Sequence, residues 1–103
     1  MLRQYKPHQI IKTVAASGTP EFLDDNNTRI FGATFIGEKA FNTPNTGNVT
    51  IQVEGGDALL LEPGEMITWP QPPYEAGYWM PQDFKIKVAT NGDGVRCLTN
   101  ILL

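Results

Sequence analysis

The sequence is short of the residues from which most active sites are built. Its 103 residues include one cysteine, Cys97, one histidine, His8, and one serine, Ser17. A single cysteine excludes an intramolecular disulfide, and a zinc site needs about four converging ligands. Cys97 stands among apolar residues and is expected to be buried, while Ser17 lies in a turn pattern rather than at a nucleophile elbow. We therefore expect no catalytic residues, no metal and no other cofactor.

Clustered positive charge and long apolar runs are also lacking. Eight Lys and Arg residues oppose eleven Asp and Glu residues, for a net charge of −3, and the basic residues are scattered. Such a surface does not match a row of phosphates, so nucleic acid is not an expected partner. A membrane-spanning helix needs about 20 apolar residues in a row, so no membrane partner is expected either. The first twelve residues lack the apolar segment of a signal peptide, and we expect none.

Glycine and proline, eighteen residues together, divide the chain into short segments with strand periodicity. No stretch of about 11 or more residues combines a helical period with caps. Eight strands are predicted, at about 8–16, 21–23, 28–37, 48–54, 58–62, 66–69, 84–88 and 95–102. This pattern indicates a single all-β domain over 1–103, an antiparallel β-sandwich of jelly-roll or immunoglobulin-like type.

The turn residues add expectations about the connections. Pro7 has no N–H for a strand ladder, so residues 1–7 are predicted to form an N-terminal arm. Residues 38–47 are predicted to be an exposed polar loop. The Asn-Gly-Asp-Gly sequence at 91–94 predicts a hairpin that pairs the last two strands. The loops at 24–27 and 91–94 are rich in oxygen ligands, but neither has the spacing of a calcium loop, which favours ordinary turns over a bound cation.

The third strand is apolar on both faces, which predicts a central strand covered twice, as by a neighbouring subunit. Gly32 is a candidate bulge in this strand. Strict alternation places its residues on two faces, Phe31, Ala33 and Phe35 on one and Ile30, Thr34 and Ile36 on the other.

Candidate contact residues come from two segments. Between 69 and 81, Trp and Tyr are interspersed with proline, which offers a large contact area on a stiffened loop. The segment 2–11 is partly apolar and is interrupted by Pro7, as in an arm that adds to a neighbour. As alternatives, the tryptophans could belong to the core and the terminus could be frayed. The predicted partner-binding residues, for a capsid or subunit interface, are Leu2, Tyr5, Ile10, Ile11, Trp69, Tyr74, Tyr78 and Trp79.

Four motifs in a fixed order resemble small proteins encoded among phage and prophage structural genes. They are the turn Gly18–Pro20, the turn and strand start Asn45–Val49, the turn Leu61–Glu65 and the segment Val88–Val95. The resemblance implies a β-sandwich virion protein, and capsid decoration (cement) proteins fit best by size. It further implies a homo-oligomer, with a trimer favoured, that binds the major capsid protein or another virion protein. Such a protein is made in the host cytoplasm and resides on the capsid surface.

Two other functions stay open. Aromatic faces stack on sugars, so the segment 69–81 could belong to a carbohydrate- or receptor-binding module of a tail or fibre, with Gln71, Glu75 and Gln82 as polar ligands. The Pro63–Glu65 turn between short strands is also typical of cupins. Metal-dependent cupins usually carry two or three histidines near such strands, and this chain has none there, which disfavours a cupin-like enzyme.

Overall fold

Ten strands form nearly all the regular structure in the computed structural model, which describes residues 4–26, 28–70 and 77–102. A short 3₁₀ turn, Pro81–Asp83, precedes the ninth strand. Within those ranges, no helix has the length and hydropathy needed to cross a membrane. The strands are β1 (Tyr5–Thr13), β2 (Glu21–Phe22), β3 (Phe31–Ile36), β4 (Glu38–Ala40), β5 (Thr43–Pro44), β6 (Val49–Val53), β7 (Leu59–Leu61), β8 (Met66–Thr68), β9 (Phe84–Val88) and β10 (Gly94–Leu102).

Eight of these strands form two antiparallel four-stranded sheets. The first sheet has the order β1-β10-β3-β8 and the second the order β2-β9-β6-β7, while β4 and β5 form a separate hairpin. With the hairpin set aside, the first strand pairs with the last, the second with the seventh, the third with the sixth and the fourth with the fifth. This is the pairing of a jelly roll. The predicted all-β sandwich is confirmed, and the strand order decides between its two forms.

Aromatic rings fill the centre of the space between the sheets. The ring centroid of Phe84, in β9, lies 5.0 Å from that of Phe35, 5.0 Å from that of Trp79 and 5.4 Å from that of Trp69. Around them, the inward positions of β1, β10 and β3 contribute a row formed by Ile10, Cys97 and Phe35. Each large apolar side chain removed from water in this way stabilises the fold by about 1.5–3 kcal/mol.

The first strand begins earlier than Pro7 had suggested. Tyr5 pairs with Leu102 and Pro7 with Asn100, so the predicted arm is a paired strand from residue 5 onward. β1 is an edge strand with a neighbour on one side only, and a proline without an N–H is tolerated in that position. Residues 1–3 lie outside the described ranges.

Gly32 is the predicted bulge, and it reverses part of the expected facing of β3. Its φ is +74°, and the register between β3 and β10 shifts by one residue at this point. As a result, Ile30 enters the core and Phe31 turns to the outside, whereas strict alternation had placed Phe31 with Phe35. The other predicted faces of this strand hold.

The segment 38–47 is mostly exposed, as its polar sequence predicts, but it is not an irregular loop. It contains the β4–β5 hairpin, and two of its polar side chains, Glu38 and Asn45, are buried. Both are buried because each has a partner in β10: Glu38 accepts from the Arg96 side chain at 2.8 Å, and Asn45 bonds to the backbone of Gly94.

The Asn-Gly-Asp-Gly segment does not form the predicted hairpin, because β9 and β10 belong to different sheets. The segment pairs with the end of β1 instead. The Gly92 N–H donates to the Val14 carbonyl, and the Val14 N–H donates to the Asp93 carbonyl, both at 2.9 Å. The chain therefore crosses from the second sheet to the first.

Asp93 holds this crossing in place, and we name the surrounding residues 45–47, 93 and 94 the Asp93 junction. The Asp93 carboxylate, 1% exposed, accepts the N–H groups of Thr46 and Gly47 at 2.8–3.1 Å. The Asn45 amide donates to the Gly94 carbonyl at 2.7 Å and accepts the Gly94 N–H at 3.0 Å. A Cβ on Gly94 would lie 1.9 Å from the Lys12 carbonyl oxygen, so only glycine fits there.

Replacing Asp93 with alanine should destabilise the domain by about 3 kcal/mol, because two backbone N–H groups lose a buried, charged acceptor. The measurement is the free energy of unfolding from urea titration followed by tryptophan fluorescence. Asp57→Ala, at an exposed aspartate between β6 and β7, is the matched control and should change stability by less than about 0.5 kcal/mol. Equal unfolding midpoints for the two variants would contradict the role given to the junction.

Candidate functional site

The outer side of the first sheet has almost no charge. Arg96 is the one charged residue among the strand positions that point outward there, and we call this surface the apolar face. Its residues are Tyr5, Pro7, Gln9, Ile11 and Thr13 of β1, Gly94, Arg96, Leu98, Asn100 and Leu102 of β10, Phe31, Thr34 and Ile36 of β3, and Met66 and Thr68 of β8.

Large apolar side chains are exposed mainly on this side of the molecule. In the described part of the chain, eight large hydrophobic residues are exposed, and six lie on or beside the apolar face: Tyr5, Ile11, Phe41, Met66, Leu98 and Leu102. The outer side of the second sheet differs, because Lys85 and Lys87 stand there between the two remaining ones, Phe22 and Leu60. One side of the sandwich is thus suited to water and the other to burial.

The charge of Arg96 is neutralised within the chain. Its Nε lies 2.8 Å from Glu38 Oε1, and both side chains are largely buried. Its Nη1 donates to Gln9 Oε1 at 2.9 Å, and the Phe41 ring centroid lies 4.9 Å from the guanidinium carbon. The ion pair is therefore already formed, hydrogen-bonded and covered, and the apolar face carries no charge that needs a partner.

Leu98 forms a projection near the middle of the apolar face. It is 37% exposed in the central strand β10, between Gln9 of β1 and Thr34 of β3. A shallow hollow of about 250 Å³ lies toward β3, lined by Phe31, Thr34 and Leu98 among others. A second hollow of about 370 Å³ lies toward β1, lined by Pro7, His8 and Leu98 among others. The face therefore combines an apolar projection with a depression on either side.

The structure divides the predicted partner-binding residues among three locations. Tyr5 and Ile11 lie on the apolar face as exposed side chains. Ile10 and Trp79, expected at a contact surface, are buried in the core, because Ile10 points inward from β1 and Trp79 packs on Phe84. Leu2 and Tyr74, with the possible sugar ligands Gln71 and Glu75, lie outside the described residues.

Trp69 and Tyr78 have intermediate positions. Trp69 is half-buried, and its ring lies edge-on to Phe35 at 5.5 Å between centroids. Tyr78 is also half-buried and lies at the rim of the apolar face, with its ring centroid 6.2 Å from Phe31 and 4.7 Å from the Arg29 guanidinium carbon. Among the described residues of the segment 69–81, Tyr78 is therefore the aromatic residue that a partner on the apolar face would contact most readily.

Four residues of this surface were not predicted as contact residues from the sequence: Phe41, Met66, Leu98 and Leu102. The signal was present in the last strand. Between residues 94 and 102 apolar side chains occupy both alternating sets, with Val95, Cys97 and Ile101 in one and Leu98 and Leu102 in the other. A strand that is apolar on both sides predicts a covered outer face.

A hollow of about 490 Å³ opens at the end of the second sheet, lined by Phe22, Trp79 and Asp83 among others. Two of its polar side chains have structural bonds: Asp83 accepts the Met80 N–H at 2.8 Å, and Gln82 donates to the Asp25 carbonyl. Trp79 offers little surface, since it is 5% exposed. The exposed aromatic ring of this hollow is therefore Phe22, in β2, and not the predicted Trp79.

The oxygen-rich loop at 24–26 has the hydrogen bonds of a turn. Asp24 Oδ1 accepts the Asp25 N–H at 2.7 Å, and Asn26 Oδ1 accepts the Thr28 N–H at 3.0 Å. These are the local side-chain bonds by which Asp and Asn form turns. Among the described residues, no group of three or more His, Cys, Asp or Glu could hold a metal ion.

Cys97 and His8 are closer in space than their sequence separation suggests. They lie on the inner side of adjacent strands as diagonal neighbours, since His8 pairs with Thr99 and Cys97 with Ile10. Burial, however, raises the pKa of the Cys97 thiol to about 12. The thiol therefore stays protonated at neutral pH, and a protonated thiol is not the nucleophilic form.

Cys97 should resist alkylation by iodoacetamide at pH 8 in the folded protein. With a pKa near 12, roughly one thiol in ten thousand is ionised at that pH, and the side chain is fully enclosed. Mass spectrometry of the intact chain measures the modification. The same protein unfolded in urea is the control and should react within minutes, whereas equally fast reaction of the folded chain would contradict the burial of this thiol.

None of the family models matches this chain, and no curated protein and no solved structure matches it either.

Proposed function

We propose that this domain is a non-enzymatic structural protein of a phage virion, a capsid decoration protein that binds the assembled shell and stabilises it. The observation that carries the proposal is the apolar face: a sheet surface with one neutralised charge and six exposed apolar residues on or beside it. Function by contact needs such a surface and requires no catalytic group.

The composition of the apolar face supports burial against protein rather than exposure to water. The central parts of protein interfaces are depleted of charged residues and enriched in aromatic residues and methionine. Tyr5, Phe41 and Met66 fit this composition, and the nearest charge, on Arg96, is paired with Glu38. The lysine-bearing outer side of the second sheet provides the solvated surface that such a protein would present outward.

Weak binding by each copy is enough for this function. A shell offers many identical sites at fixed spacing, so copies joined to one another engage several sites at once and gain avidity. A protein that binds only the assembled shell stabilises it by mass action. The domain therefore needs a rigid scaffold and one well-formed contact surface, which the sandwich supplies.

The virion assignment rests on the sequence motifs, while the jelly roll supports it only by analogy. Viral capsid domains, lectins and cupins all use this architecture, so the fold alone does not select among them. The four motifs that resemble phage structural proteins are turns and crossings in the structure. Asn45 and Asp93, which lie within two of them, meet in the Asp93 junction.

A carbohydrate-binding role gains less support. Its predicted aromatic platform included Trp79, which is buried in the core, and Tyr78, which packs edge-on to Phe31. A glycan array probed with the purified domain tests this alternative. Specific binding that disappears in Tyr78→Ala, with the fold retained, would replace the decoration proposal.

Cosedimentation with purified undecorated phage capsids tests the proposal. The intact domain should pellet with the capsids in a saturable manner, and Leu98→Lys should lose most of this binding, because it places a charge in the middle of the apolar face. The variant should remain folded, since Leu98 is exposed in the free domain.

Leu60→Lys is the matched control. Leu60 is also an exposed strand leucine, but it lies on the outer side of the second sheet, so its binding should equal that of the unmodified domain. Absence of binding by the folded, unmodified domain would refute the proposed function. If both variants lost capsid binding equally, the apolar face would not be the surface that binds the capsid.

A further inference from the structure

We propose that the apolar face is covered by the apolar face of a second copy of this chain, in a two-fold symmetric pair. The inference rests on the proposed function in one respect, that the face is buried against protein, and it makes the pair the unit that binds the shell. Leu98→Lys then weakens shell binding by separating the two copies. Three properties of the described residues carry it: the area of the face, its lack of free charge, and its possession of both a projection and hollows.

The area of the apolar face matches a domain-sized partner. The four strands contain 9, 9, 6 and 3 residues. At about 3.4 Å per residue and about 4.8 Å between strands, they outline roughly 450 Å². Side chains and the neighbouring β4–β5 hairpin enlarge the accessible area toward about 600 Å² per partner, the lower end for stable interfaces. A single peptide strand would cover only part of this surface.

The charge distribution favours a second copy over an unrelated protein. Two identical faces brought together by a two-fold axis place like charges near one another, which is unfavourable unless those charges are neutralised. Here the one charge is already neutralised by Glu38 in the same chain, with a further bond to Gln9. The strand positions of the face offer no free charge by which an unrelated partner could be selected, and the exposed Arg29 lies beside Tyr78 at the rim. Homodimer interfaces are the more apolar class.

The distribution of apolar side chains favours a two-fold pair over the trimer that the sequence resemblance implies. A closed ring joins two different patches of each copy, whereas a two-fold interface joins a patch to itself. The described surface offers one apolar face. On the opposite side, Phe22 and Leu60 stand among Lys85 and Lys87, so that side offers no second apolar patch of comparable size.

The relief of the apolar face is compatible with self-association. A two-fold interface requires that a surface contain both the projections and the depressions that receive them. Leu98 projects, and hollows of about 250 and 370 Å³ flank it on the sides of β3 and β1. Two flat sheet faces also pack well on one another, with strands inclined by about 30°.

Sedimentation-velocity ultracentrifugation over a range of protein concentrations tests the pairing. The unmodified domain should have a mass twice that of the 11.4 kDa chain, and Leu98→Lys should have the mass of one chain. We expect its dimer dissociation constant to rise by about 1,000-fold, because each buried unpaired charge weakens binding by at least about 30-fold and the substitution occurs twice. Ile11→Lys, elsewhere on the same face, should act likewise, and Leu60→Lys should remain paired.

Circular dichroism and urea midpoints establish that each variant is folded; should Leu98→Lys unfold, Ile11→Lys provides the same test. A trimeric mass, or pairing that survives both substitutions, would overturn the inference. A monomeric unmodified domain would also overturn it. If that monomer still binds capsids and loses binding in Leu98→Lys, the face contacts the shell directly, and the proposed function stands without the pairing. If the unmodified domain is a dimer but does not bind capsids, the pairing is supported and the proposed function is refuted.

Discussion

The structure depends on the burial of one carboxylate, that of Asp93, where the chain crosses between the sheets. Its oxygens bind the N–H groups of Thr46 and Gly47, and the adjacent Asn45 and Gly94 bond to each other in both directions. The junction thereby connects the start of β10 to a segment about 48 residues earlier in the chain. Because β10 is the central strand that carries Arg96 and Leu98, the junction also sets the position of the apolar face. Asp93, a buried residue, therefore also sets the position of the face on which the proposed function depends.

The side chains of the two sheets meet different requirements on their inner and outer sides. Inward side chains, with Phe84 and its neighbouring rings at the centre, supply the hydrophobic stabilisation. The outer side of the second sheet carries lysines that keep it in water, and the outer side of the first sheet carries almost no charge. Exposed apolar surface in a monomer carries a risk of aggregation, so its concentration on one side favours a specific partner. Arg96 fits the same surface, because its charge is paired with Glu38 and the aliphatic part of its side chain contributes to the apolar face.

Sequence alone was sufficient for the fold class and for eight of the ten strands, because glycine and proline mark the turns and apolar residues recur between them; the β4–β5 hairpin was not predicted. It was insufficient for the strand order. The Asn-Gly-Asp-Gly segment has the composition of a hairpin, but its bonds to Val14 are long-range and leave no local signal. The side of the sheet to which each side chain of β1 points could not be predicted either. Ile10 and Ile11 are adjacent and equally apolar, and only the pairing with β10 decides which one points inward. Trp79 shows that an aromatic residue in a proline-rich segment suits the core and a contact surface equally well.

The pairing of the first strand with the last has a consequence for synthesis in the cell. β1 has its single neighbour in β10, so Tyr5–Thr13 waits without a partner until Gly94–Leu102 has left the ribosome. Contacts between such distant segments form slowly, and unpaired edges are exposed to wrong partners in the meantime. The lysines and the proline within β1 make it a poor template for misassembly during this delay. The same order of events means that the surface on which Leu98 lies is assembled only after β10 has left the ribosome.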